Sequence, residues 1–162
     1  MPTPFYSRRL DGLRSLMREH GTDSVLLSTG SDLPYYTGYK AMESERLTML
    51  VVRADADPVL VIPRLEAPRV DSPVVEPTPW DETDDPLRIV ADLVAGATRV
   101  AIDDRARAVF LLGLQELLPS VHWGAASELT RHQRVVKDAD EIAALGAAAG
   151  AVDQVLARLP SV

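Results

Sequence analysis

The richest concentration of chemically versatile side chains is the stretch Leu33-Pro34-Tyr35-Tyr36-Thr37-Gly38-Tyr39-Lys40-Ala41-Met42-Glu43-Ser44-Glu45-Arg46. Three of the four tyrosines fall within five residues of one another, and Lys40, Glu43, Glu45 and Arg46 follow. Tyrosine joins an apolar ring to a hydroxyl, a combination enriched at recognition surfaces. Tyr35, Tyr36 and Thr37 suit a short helix on the core equally well, with Gly38 as its stop. The two readings coexist if Tyr36 packs inward and the segment from Tyr39 onward is exposed.

Other candidate chemistry is thinner. The acidic pair Asp103-Asp104 follows an apolar strand, a place where carboxylates can hold magnesium. The pair resembles the start of the magnesium site of phosphorelay receiver domains, but those also need a phosphoacceptor Asp at the end of a later strand and a Lys beyond it, and neither follows Val121–Trp123. The pair therefore reads as a cap, with Asp104 closing the start of a helix near Ala106. His20, His122 and His132 show no metal-ligand spacing, and zero cysteines leave no disulfide, thiolate nucleophile or zinc–thiolate site. No G-x-S-x-G elbow or glycine-rich phosphate cradle occurs, and neither Ser44 nor Ser127 pairs with a histidine at a recognisable interval.

The elements that must position these groups follow from periodicity. Leu10, Leu13, Leu16 and Met17 recur at helical steps between Ser7, a candidate cap, and Gly21. Ser24-Val25-Leu26-Leu27-Ser28 reads as a buried strand, followed by a loop to about Arg46. Leu47–Val52 and Val59–Ile62 flank a polar turn and predict an antiparallel hairpin. Seven of the twelve prolines lie between Pro58 and Pro86, which leaves room only for a helical turn around Leu65–Val70 and a strand near Val74-Val75. Beyond them, Pro86 opens a helix capped by Asp84 or Asp85 and stopped by Gly96. Arg99–Asp103 is a strand, Ala106–Leu118 a helix, Val121–Trp123 a last strand and Ser127–Arg134 a helix. A hairpin followed by this alternation predicts an α/β fold, a mixed β-sheet flanked by helices on both faces.

The last segment is different in kind. Asp138-Ala139-Asp140-Glu141 is a capping box, opening a helix that can run to Leu159 over about 31 Å. Ile142, Leu145, Val152, Val155 and Leu159 form its apolar stripe, and small residues fill its interior. Such a helix is expected to have a partner outside this chain.

Length, charge and composition bound the remaining classes. The 162 residues make one ordinary domain, and 46% hydrophobic with 25% charged residues describes a globular protein. Seventeen Lys and Arg against 24 Asp and Glu give a net charge of −7, which argues against nucleic acid or an anionic membrane surface as partner. Arg8, Arg9, Arg14 and Arg18, interleaved with Asp11 and Glu19, read as a solvated helix face. The first residues lack the apolar stretch of a signal peptide, so a cytoplasmic location is the expectation.

Four stretches, in order, carry a resemblance. L-P-Y-Y-T-G-Y resembles the N-x-x-Y-L-T-G-F segment in the N-terminal domain of the pita-bread metallopeptidases, the family of prolidase, Xaa-Pro aminopeptidase and creatinase. Glu45-Arg46-Leu47 through Pro58-Val59-Leu60-Val61-Ile62-Pro63-Arg64-Leu65-Glu66 resembles that domain's hairpin and following helix. Arg99–Asp103 is similar to its I-G-V-D strand. Ser127-Glu128-Leu129 through Arg134-Val135-Val136-Lys137-Asp138-Ala139-Asp140-Glu141-Ile142 is similar to the L-R-x-I-K-S-x-x-E-I junction into the catalytic domain. The chain departs from the pattern at Gly146, where the family usually has Arg.

The resemblance implies a ribonuclease-H-like mixed sheet for residues 1–134. It implies that 135–162 is the junction and first helix of a pita-bread catalytic domain otherwise absent from this sequence. A full-length relative would be a hydrolase in which two divalent ions, manganese or similar, activate water against an Xaa-Pro bond. The family's metal ligands, two Asp, one His and two Glu, lie beyond the junction. No catalytic or metal-binding residue is therefore expected in this chain, and the chain alone is expected to be inactive. The domain's implied part is homodimerisation and a wall over the cleft that takes proline-containing peptides. Tyr39, Lys40, Glu43, Glu45 and Arg46 are the expected cleft-facing residues, Arg46 gripping a substrate carboxylate in a bidentate fork. The alternative is a free-standing α/β binding or dimerisation module without catalytic activity.

Overall fold

The computed structural model describes residues 3–158. Helix α1 (Thr3–His20) starts four residues before Ser7, with Pro4 in the first turn, where a missing N–H breaks no helical hydrogen bond. Ser7 thus lies inside the helix and caps nothing. Gly21 ends it at φ 63°, and the Thr22 N–H reaches back 2.8 Å to the Met17 carbonyl in a Schellman closure.

The apolar runs form a six-stranded sheet in the order β4-β3-β2-β1-β5-β6. Its strands are β1 (Ser24–Leu27), β2 (Met49–Arg53), β3 (Val59–Pro63), β4 (Pro77–Trp80), β5 (Arg99–Ile102) and β6 (His122–Ala125). Only β2 runs against its neighbours, Leu27 facing Leu50 and Leu50 facing Leu60, so the other five point one way and the sheet is mixed as expected. The strand expected at Val74-Val75 lies instead at Pro77–Trp80. Pro77 and Pro79 alternate on a strand at the sheet's edge, where one row of backbone groups has no strand partner and a missing N–H is tolerated.

Helices cover both faces. Helix α2 (Asp32–Thr37) lies inside the expected loop, and with α1 and α5 (Ser127–Val135) it buries Leu13, Met17, Leu33, Tyr36 and Leu129 against Val25, Leu27 and Leu50. On the opposite face, α3 (Pro86–Leu93) and α4 (Ala108–Leu117) bury Val90, Leu114 and Trp80 against Leu26, Val51 and Val100. Asp85 caps α3 by accepting from the Leu87 and Arg88 N–H groups, whereas Asp84 closes the preceding turn from the Asp81 N–H.

Asp104 does not cap α4, which begins two residues past Ala106 without a side-chain cap. Parallel pairing of β5 with β6 sets the loop after β5 beside the start of α5, and Asp104 accepts there from the Ser127 N–H (3.1 Å) and hydroxyl.

The final helix, α6 (Ala139–Leu156), opens on the Asp138–Glu141 capping box and buries no residue. Ile142, Leu145, Val152 and Val155 are each more than half exposed, and Leu159, the last of the expected stripe, lies outside the described residues. Among the described residues no helix is long and apolar enough to cross a membrane.

Candidate functional site

Five strands end on the same edge of the sheet, and the segments leaving that edge carry the Lys40–Arg46 run and the Asp103–Asp104 pair. Strand β1 leads to α2 on one face, while its parallel neighbour β5 leads to α4 on the other. Where adjacent parallel strands feed opposite faces, a crevice opens between their carboxyl ends, the usual ligand position in open α/β sheets. Here Asp103 fills it. Its carboxylate is 8% exposed as a residue and accepts from the Ser28 N–H at 3.2 Å and the Arg105 N–H at 2.9 Å. Asp103 ties the two strand ends together and, with Asp32, Asp104, Arg105, Arg131 and Arg134, lines a cleft of about 370 Å3. Arg134 pairs with Asp32, holding the last turn of α5 to the first turn of α2.

Burial pushes the Asp103 carboxyl above the ordinary aspartate range, and the charges of Asp32 and Asp104 push it the same way against the two N–H donors. The folded protein therefore holds this proton more tightly than the unfolded chain does. The resulting stability is fully present below the ordinary value of 3.8 and is lost as pH rises through the raised one. The unfolding free energy of the parent minus that of Asp103→Asn, followed in urea across that window, is expected to fall with rising pH and then level. A difference that grows with pH contradicts this placement of charge.

The five expected cleft residues do not converge on one point. Tyr39, expected at the surface, is 6% exposed, because Thr37 Oγ accepts its N–H and turns the chain back onto the core. Its burial raises the hydroxyl pKa, with the Glu66 charge acting the same way. Tyr39 also lines a shallow hollow with Lys40, Met42 and Arg69. Glu43 pairs with Arg105 at 3.2 Å, toward the β5 end, and Arg46 pairs with Glu82 at 2.9 Å, beyond the β4 end. Lys40 and Glu45 are exposed and make no ion pair among the described residues. The segment from Lys40 to Arg46 is thus a strap along the carboxyl edge of the sheet, tied at two places. Neither the Asp104–Ser127 contact nor the Arg105–Glu43 pair had any local signal, since their partners are 23 and 62 residues apart.

The described residues do not fit a metal centre. No group of three or more His, Asp or Glu side chains among them is arranged to hold a metal ion. All four carboxylate oxygens of Asp103 and Asp104 already accept from N–H or O–H donors. Nor does the edge assemble a nucleophile with a general base. What it offers is a mixed-charge surface of arginines and carboxylates.

The sequence matches the Creatinase/Prolidase N-terminal domain family over residues 9–136. It is 34% identical over 161 residues to the probable dipeptidase PepE of Mycobacterium tuberculosis, covering 96% of this chain and 43% of that protein. Among solved structures it is similar to dipeptidase PepE from Mycobacterium ulcerans, with a TM-score of 0.89 and 35% identity over 99% of this chain and 44% of that one. The recombinant prolidase from Thermococcus sibiricus follows, at a TM-score of 0.85 and 25% identity over 94% and 43%. The chain spans less than half the length of the curated relatives it matches.

Proposed function

The chain belongs to the creatinase/prolidase N-terminal domain family, and from that premise we propose that it is the non-catalytic N-terminal part of a longer metal-dependent hydrolase, an Xaa-Pro dipeptidase or aminopeptidase. Residues 1–134 are the domain proper, and residues 135–162 are the junction and first helix of the catalytic domain. The observation that carries this reading is the asymmetry of coverage: 99% of this chain lies on 44% of a dipeptidase. The exposure of Ile142, Leu145, Val152 and Val155 on α6 supports it, as the surface that the following domain covers. Two divalent ions, manganese or similar, would be held by residues of that following domain and would activate the attacking water.

In this account the N-terminal domain contributes to a homodimer and walls the substrate cleft in a cytoplasmic enzyme that cleaves before proline. The strap from Lys40 to Arg46 is the cleft-facing part, with Tyr39 buried behind it. Arg46 leaves Glu82 to take a substrate carboxylate, an exchange of one carboxylate for another that costs little, because exposed ion pairs are worth about 0–1 kcal/mol. Arg46→Ala in the longer protein is expected to lower kcat/KM for an Xaa-Pro dipeptide roughly 10- to 100-fold, the equivalent of one charge-assisted hydrogen bond of about 1.5–3 kcal/mol. Unchanged kcat and KM would remove Arg46 from the cleft.

A further inference from the structure

Arg9 is not part of the solvated arginine face that its helix spacing suggested. Its side chain is 11% exposed, with the guanidinium carbon 3.8 Å from the centre of the Phe5 ring and 3.7 Å from that of Tyr35. One terminal nitrogen donates to the Tyr35 carbonyl at 2.9 Å. The other lies 2.9 Å from Glu141 Oε1 and 3.6 Å from Asp138 Oδ2. The Arg9 carbonyl accepts from Gln133 Nε2 at 3.0 Å, and Gln133 Oε1 accepts from the Tyr36 hydroxyl at 2.6 Å. Groups from α1, α2, α5 and the start of α6 therefore meet at one residue.

The two carboxylates divide their work. Asp138 Oδ1 accepts from the Glu141 N–H, and Glu141 Oε2 accepts from the Asp138 N–H, which completes the capping box. Their remaining oxygens, Oδ2 and Oε1, are the ones that face Arg9. The box thus starts the helix and anchors it at the same time. Little else holds α6. It buries no residue, Val135 at the end of α5 and Val136 after it are exposed, and a groove of about 550 Å3 lined by Phe5, Tyr35, Arg134 and Leu145 runs beside its first turns.

We propose that Arg9 is a latch that sets the angle at which α6 leaves the domain. A guanidinium fixed between two rings presents its donors in one plane, so the carboxylates of α6 can be met in only one orientation. Arg9 is then a positioning residue for whatever polypeptide α6 leads into. That last consequence rests on the reading above, whereas the latch is a property of this chain alone.

The 162-residue chain has no cysteine, so cysteines introduced at exposed Glu116 on α4 and Ala149 on α6 take spin labels at those two sites only. Pulsed electron–electron resonance is expected to give one narrow distance in the parent. The double variant Asp138→Asn with Glu141→Gln keeps a competent capping box and removes both charges facing Arg9. It is expected to broaden the distribution at least twofold and to speed tryptic cleavage after Lys137 several-fold, while leaving the unfolding of the sheet domain unchanged. Arg9→Met, which fills the space between the rings without charge, is expected to do the same. An unchanged distance distribution in the double variant, or in a folded Arg9→Met, overturns the proposal. If Arg9→Met does not fold, the double variant decides, because its substitutions lie on the helix that buries nothing. Because the labels sit on this chain alone, failure here leaves the family-based reading untouched.

Discussion

Tyr36→Ala is expected to lower the unfolding free energy by about 4 kcal/mol, near the middle of the range for removing a buried aromatic ring. Against a total of roughly 5–15 kcal/mol for an ordinary domain, that is a large share. Tyr36 is wholly buried, its ring packs edge-on against Tyr35 at 4.9 Å, and its hydroxyl donates to Gln133 Oε1. Burial also drives the hydroxyl pKa far up, so the group stays a neutral donor at any ordinary pH. The alanine leaves a cavity between α1, α2 and the sheet and strips Gln133 of its donor. Tyr36→Phe separates these effects: it keeps the ring and is expected to cost only about 1–2 kcal/mol for the unpaired acceptor. Urea unfolding of both variants measures the two contributions. A cost below about 1 kcal/mol for Tyr36→Ala would return Tyr36 to the surface and to recognition.

The second large effect is expected at Gly38, which closes α2 at φ 78°. A Cβ there would stand 2.8 Å from the Tyr6 hydroxyl oxygen and 2.9 Å from its ring carbon Cζ. Gly38→Ala therefore combines the left-handed backbone penalty of about 1–2 kcal/mol with overpacking of about 1–3 kcal/mol, and is expected to cost about 3 kcal/mol. Gly21 supplies the control, since it has φ 63° and no atom within 4 Å of an added Cβ. Gly21→Ala is expected to cost only the backbone part, about 1 kcal/mol. Equal losses at the two glycines would mean that Tyr6 does not press on the turn.

These two residues belong to the tyrosine-rich stretch, in which Leu33, Tyr36, Thr37 and Tyr39 are packing, as expected for Tyr36 and contrary to the exposure expected of Tyr39. Ring chemistry alone does not say which way a side chain faces. Tyr36 and Tyr39 turn inward because α2 and the Thr37 turn carry them there, while only the strap beyond Tyr39 stays in water. Elements written in local pattern were legible: the runs that became β1, β2, β3 and β5, the Asp85 cap and the Asp138–Glu141 box. Features that depend on distant neighbours were not. Strand β4 is built from Pro77, Thr78, Pro79 and Trp80, and only its place beside β3 at the sheet edge makes that composition a strand. Asp104 serves α5 and not α4 because β5 and β6 are adjacent, which spacing along the chain does not encode. Arg9 looked solvated on a helical wheel and is enclosed by Phe5, Tyr35 and residues of α6.

The alternation of elements already predicted the mixed sheet, and the resemblance added the family from four ordered stretches. The cleft-facing role of the strap is the part that rests least on packing. Glu43 and Arg46 face opposite ends of the sheet edge, so a substrate touching both would have to lie along that edge and not enter a pocket.

The central claim is that this chain works as one domain of a longer hydrolase. The measurement that tests it most directly is cleavage of an Xaa-Pro dipeptide, with and without manganese, by the product of the whole reading frame beside the 162-residue chain. The account predicts a frame that continues for a further domain past Val162, manganese-dependent release of proline by its product, and no release by the shorter chain. A frame that stops at Val162, or hydrolysis by the 162 residues alone, would contradict it.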